Sequence, residues 1–104
     1  MKYIQLNKEN KISQIGLGTW MIKHKLIERT IENAINLGYT AIDTAQIYKN
    51  EHLIGNVLSK VDNRDKLFIT TKIWVKNYKT KEKFFNSIKE SLKKLNLDYV
   101  DLLL

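Results

Sequence analysis

Leu67-Phe68-Ile69-Thr70-Thr71-Lys72-Ile73-Trp74 reads as a β-strand. It is rich in β-branched and aromatic residues and follows the charged turn Asp62-Asn63-Arg64-Asp65-Lys66. Alternate positions Phe68, Thr70, Lys72 and Trp74 share one face of that strand. An isolated buried ammonium is very costly, so Lys72 has to reach water or find an acidic partner.

Working outward, Thr40-Ala41-Ile42-Asp43-Thr44 is the preceding strand and carries an acid near its carboxyl end. If the two strands are parallel neighbours, Asp43 and Lys72 meet at the same rim. Tyr48 follows five residues after Asp43, in the loop that leaves the strand. Carboxylate, phenol and ammonium thus converge on the carboxyl edge of the sheet, where barrels and open α/β sheets place their sites.

Upstream lie a short hairpin, Tyr3-Ile4-Gln5-Leu6 with Lys11-Ile12 around the turn Asn7–Asn10, and a first parallel strand, Gln14–Trp20, whose two glycines leave room for close approach. Helical spacing of Ile27, Thr30, Ile31, Ala34 and Ile35 predicts a helix over 25–37, closed by Gly38. Leu53, Ile54, Val57 and Leu58 mark a second helix. Thr80 is the expected N-cap of a third, with Phe84, Phe85, Ile88, Leu92 and Leu95 on its buried stripe. Tyr99-Val100-Asp101-Leu102-Leu103-Leu104 is a fourth strand. The order is a hairpin followed by β-α-β-α-β-α-β, which builds a parallel sheet with helices outside. Strand starts recur every 25 to 32 residues or so, and eight such units make the roughly 250 residues of a (β/α)₈ barrel. The expected fold is therefore α/β, a partial (β/α)₈ TIM barrel with four parallel strands, three helices and an N-terminal hairpin. Residues 1–104 form one unit that reads as the front of something longer.

Composition narrows the function. The chain has 104 residues and a formal charge of +7, with 18 basic residues against 11 acidic ones. Sixteen of the basic residues are Lys and two are Arg, alongside ten Asn and thirteen Ile. These three abundant types have A/T-rich codons, so codon bias accounts for the lysine excess as well as a binding function does. Arg, the usual bidentate reader of bases and phosphates, is nearly missing, and no nucleic-acid partner is expected. No apolar run reaches the ~18 residues of a membrane span, and no signal peptide is evident, so a cytoplasmic setting is expected. With no Cys there are no disulfides or thiolate zinc sites. His24 and His52 alone make no metal site.

Several segments in register resemble the aldo-keto reductases: Ile15-Gly16-Leu17-Gly18-Thr19-Trp20, Gly38-Tyr39-Thr40-Ala41-Ile42-Asp43-Thr44-Ala45, Ile47-Tyr48-Lys49-Asn50-Glu51, Phe68-Ile69-Thr70-Thr71-Lys72-Ile73-Trp74, and Ser91-Leu92-Lys93-Lys94-Leu95 with Leu97-Asp98-Tyr99-Val100-Asp101-Leu102. The resemblance implies the N-terminal half of an NAD(P)H-dependent reductase of aldehydes and ketones, with the hairpin as barrel-bottom plug. It maps the catalytic Asp, Tyr and Lys onto Asp43, Tyr48 and Lys72. It places Thr19, Trp20 and Asp43 near the nicotinamide of NADPH, or of NADH as the alternative. Trp20, Tyr48 and Trp74 fall around a small carbonyl substrate. Tyr48 is then the general acid; a free phenol has a pKa near 10, and a neighbouring ammonium makes it a better acid at neutral pH. Two departures stand out. Lys49 replaces the family's usual glycine, so a different turn is expected there. The family's catalytic His falls past the fourth strand, so the chain is expected to be truncated and nearly inactive alone, and to self-associate or bind a C-terminal half of the barrel. The competing reading is a non-catalytic remnant or basic binding module, with Lys76, Lys79, Lys81, Lys83, Lys89, Lys93 and Lys94 as its face.

Overall fold

A computed structural model describes residues 2–104. Strands β1 (Tyr3–Gln5) and β2 (Lys11–Ser13) form the antiparallel hairpin. A four-stranded parallel sheet follows, with β3 (Leu17–Gly18), β4 (Ala41–Asp43), β5 (Phe68–Thr71) and β6 (Leu102–Leu103) side by side in chain order. Helices α1 (His24–Asn36), α2 (Glu51–Leu58) and α3 (Lys81–Leu95) connect them. Short 3₁₀ turns occupy Gln46–Tyr48, Arg64–Lys66 and Val75–Tyr78. Among the described residues, no helix is long and apolar enough to cross a membrane.

Register divides the sheet into two faces. Leu17, Ile42 and Ile69 stand opposite one another and pack beneath the helices, in a core with Ile27, Ile31, Ile54, Val57, Leu58, Leu67 and Leu95. Gly18, Asp43, Thr70 and Leu102 form the next row and point to the other side. Arg64 ties the last strand to the sheet: it donates to Leu67 O and Tyr99 O and bridges to Asp101, whose Oδ2 also accepts from Ile69 N.

Helix ends fall where the sequence puts them. Gly38 takes a φ of 98° just past α1, and Thr80 Oγ1 accepts from Lys83 N at 3.0 Å to start α3. The strands are shorter than expected. Gln14 belongs to the hairpin, donating to Lys2 O, and only Leu17 and Gly18 pair with β4. Gly16 does allow a close approach, since a Cβ there would lie 3.1 Å from that of Ala41. Lys72 to Trp74 lie beyond the end of β5. Phe85 is a correction: it is 50% exposed, because neighbours on a helix are set about 100° apart and Phe84 already holds the inward position. It rests edge-on against Phe84 instead.

Helices α2 and α3 cross at close range. A Cβ on Gly55 would sit 1.9 Å from Lys94 O, so the two helices meet backbone to backbone. Asn96, left-handed at the end of α3, seals the crossing by donating to Gly55 O at 3.0 Å. We predict that Gly55→Ala destabilises the protein by at least about 1–3 kcal/mol, the usual penalty of overpacking. Urea denaturation measures it, and a loss below about 0.5 kcal/mol, the range of neutral surface changes, contradicts the close crossing.

Candidate active site

Parallel pairing continues past the strand ends. Thr19 N donates to Asp43 O, Thr44 N to Thr70 O and Gln46 N to Lys72 O, at 2.8 to 3.0 Å. Main-chain bonds thus carry the pairing into the loops at the carboxyl edge, and these loops bring together the three residues singled out from the sequence. Lys72 Nζ donates to Asp43 Oδ1, to Tyr48 Oη at 3.1 Å and to Thr44 O at 3.4 Å. Those three partners use all three donors of an ammonium. The ammonium also lies 5.0 Å from the centre of the Tyr48 ring. Because an ammonium can only donate, the Tyr48 oxygen is the acceptor, and its own proton is directed away from Lys72.

Partial burial by itself lowers the Lys72 pKa, but hydrogen bonds to Asp43 and Tyr48, together with the charges of both groups, outweigh it. The net result is a pKa above the ordinary lysine value of 10.5, so Lys72 stays cationic throughout the neutral range. The pair is only partly sheltered, with side chains 32% and 43% exposed, and water screens much of its attraction. Its role is orientation more than stability.

Thr19 is fully buried, its hydroxyl donating to Asp43 O at 2.9 Å. Trp20, beside it, is 68% exposed. Trp74 is half-buried, and its main-chain N donates to Gln46 Oε1 at 2.8 Å. The seven lysines proposed as a basic face are all exposed, most of them on α3. His24 and His52 lie edge to face with ring centres 6.3 Å apart. Among the described residues, no group of three or more metal-ligating side chains could hold an ion.

Sequence reasoning assigned no role to a buried polar layer just beneath the site. Asn50 is 2% exposed; it accepts from Thr44 Oγ1 at 2.6 Å and donates to Thr19 O at 3.1 Å. Glu51, 3% exposed, accepts from Thr71 Oγ1 and Ser91 Oγ. The signal available was the Asn50-Glu51 pair itself, standing at the start of α2 just after Tyr48. Each of these groups has its hydrogen-bond partner, as buried polar groups require.

Lys49 takes φ 57° and ψ 30°, the left-handed conformation that glycine reaches most readily, so the turn after Tyr48 keeps that shape with a side chain in place. We predict that Lys49→Gly leaves thermal stability unchanged or raises it slightly, whereas Lys49→Val, a β-branched residue at positive φ, lowers it by roughly 1–2 kcal/mol. A harmless valine contradicts the turn. A second expectation concerns alkali. A lysine pKa raised by folding stabilises the native state fully below about 10.5, and that contribution disappears as pH climbs through the higher native value. Wild-type stability should therefore fall above pH ~10.5 more steeply than that of Lys72→Met, as followed by urea denaturation across the range. Parallel pH curves contradict the pairing.

Residues 14–104 match the Aldo/keto reductase family. Over 94 residues the chain is 48% identical to methylglyoxal reductase DkgB of Yersinia pestis, covering 89% of this chain and 35% of that protein. It is 42% identical over 102 residues to methylglyoxal reductase DkgA of Escherichia coli, covering 97% of this chain and 36% of that one. The chain thus spans about a third of the length of the curated relatives it matches. The crystal structure of an aldo/keto reductase from Brucella melitensis superposes with a TM-score of 0.89 at 38% identity, covering 99% of this chain and 39% of that one. The parallel sheet of β3 to β6 and its three helices correspond to part of a (β/α)₈ barrel, and the chain belongs to the aldo/keto reductase family.

Proposed function

We propose that this chain carries the proton-donating half of an NAD(P)H-dependent oxidoreductase that reduces aldehydes or ketones to alcohols. The observation that supports it is the Asp43–Lys72–Tyr48 arrangement, in which a phenol accepts from a fixed ammonium and keeps its own proton free. In this reading Tyr48 protonates the carbonyl oxygen as the carbonyl carbon is reduced. Lys72 stabilises the phenolate left behind, and Asp43 holds Lys72 charged and aimed. Thr19 acts through the Asp43 main chain, fixing the end of β4. The matched reductases point to a small oxo-aldehyde such as methylglyoxal as substrate.

The inner face has room for a nicotinamide. A Cβ on Gly18 would meet nothing within 4 Å, and a cleft of about 280 Å³ runs from the hairpin residues Ile12, Ser13 and Gln14 along the sheet to Gly18, Asp43 and Thr70. Trp20, two positions after Gly18 in the chain, is exposed. These residues fit the flat ring of the cofactor, which when bound supplies the hydride; we take NADPH as the form to test.

General acids typically contribute about 10²–10⁴ in rate, and only toward a bound and oriented reactant. Two-thirds of the matched reductases has no counterpart in this chain, and the partner we propose for the open sheet edges is that remaining portion of the barrel. Loss of NADPH absorbance with methylglyoxal is measured for the 104-residue chain alone and mixed with the separately made remaining portion of DkgB. Little turnover is expected alone, and turnover that falls about 10²–10⁴-fold in Tyr48→Phe is expected from the mixture. Turnover unaffected by Tyr48→Phe overturns the assignment.

A further inference from the structure

Tyr48 sits on a three-residue 3₁₀ turn with no buried residue of its own, so the core does not fix it directly. The side chain two positions earlier does. Gln46 Oε1 accepts from Trp74 N and from Asn77 Nδ2, each at 2.8 Å. Its Nε2 donates to Ser91 Oγ at 3.1 Å and to Ser87 O at 3.2 Å. A side-chain amide offers two donors and one oxygen with two lone pairs, and here all four are in use. The orientation of the amide is dictated by its neighbours, because a main-chain N–H can only donate and a carbonyl oxygen only accept. Gln46 N adds a fifth bond, donating to Lys72 O at 3.0 Å.

These bonds join three separate elements: the turn carrying Tyr48, the exit of β5 carrying Lys72 and Trp74, and the helix α3. We propose that Gln46 is a positioning residue, setting the approach of the Tyr48 phenol to the Lys72 ammonium and holding the Trp74 main chain at the rim of the site. A Gln at this point does what an apolar residue of equal size could not. Hydrogen bonds are directional, so four of them fix the rotation of the turn as well as its distance from α3. The inference rests on the proposed reduction only for its effect on rate; the geometric part stands by itself.

The test follows both parts separately. In the isotopically labelled 104-residue chain, nuclear Overhauser contacts between the Tyr48 ring and the Lys72 ε-methylene report the approach, and hydrogen exchange at the Trp74 amide reports the clamp. Gln46→Leu is expected to weaken that contact several-fold and to speed exchange at Trp74 at least tenfold. Gln46→Glu keeps the oxygen that accepts from Trp74 and Asn77, and should restore most of the Trp74 protection. Asn77→Ala, which removes one bond at the half-buried edge, should give a smaller change in the same direction and covers the case in which Gln46→Leu does not fold. In the mixed assay with NADPH and methylglyoxal, Gln46→Leu should lower kcat with little change in KM. A Tyr48–Lys72 contact of wild-type strength in Gln46→Leu and in Asn77→Ala, or absent from the wild type, overturns the positioning role. Variants that change the contact while Tyr48→Phe leaves turnover untouched refute the proposed reaction and leave the positioning role standing.

Discussion

Lys72 leaves β5 one residue beyond its last paired position, and its ammonium reaches sideways to the Asp43 carboxylate at the end of β4. That contact exists only because the two strands run parallel with Asp43 opposite Thr70. Shifting the pairing by one residue turns every side chain to the opposite face. Asp43 would then enter the apolar layer under the helices, and Ile42 would replace it at the open face. The apolar core enforces the register, since Ile42 and Ile69 are both essentially inaccessible to water. The chemistry at the rim is thus held in place by hydrocarbon packing one layer below it.

The carboxyl end of the sheet is unusual in how much polarity it buries. Thr19, Thr44, Asn50, Glu51, Thr71 and Ser91 are all at most 3% exposed. Buried groups of this kind destabilise a fold when unsatisfied and rigidify it when every partner is present. Here the chain Thr44–Asn50–Thr19 links two strand exits to the start of α2, and Thr71–Glu51–Ser91 links a strand, α2 and α3. Such a layer holds Asp43, Tyr48 and Lys72 in one arrangement above it.

Strands, helices and the central trio were legible because each follows from a local or nearly local rule. Alternation put Lys72 on a strand face where it needed a partner, and parallel order brought Asp43 beside it. The helix boundaries followed from Gly38 and Thr80. Phe85 was misplaced because a count of apolar residues does not by itself resolve which of two adjacent aromatics faces in. Gln46 and Glu51 were assigned no role for a different reason. Their partners Ser87 and Ser91 lie some forty residues away in the chain, and a polar residue in a loop carries no local mark of what will be folded over it. The resemblance drew attention to Asn50 and Glu51 as part of a motif without saying what they hold.

The two serines of α3 have a consequence for how that helix can move. Ser87 and Ser91 are one turn apart on the same side, and Gln46 meets the first at its main-chain O and the second at its hydroxyl. An apolar stripe of Phe84, Ile88, Leu92 and Leu95 would pack nearly as well if the helix slid or rotated by a residue, because greasy surfaces are forgiving. The Ser91 hydroxyl is not: moving α3 by one residue brings Glu90 or Leu92 to its place, and Gln46 Nε2 and Glu51 Oε1 both lose a partner. It acts as a detent, giving α3 a single seat against the sheet where hydrocarbon alone would permit several.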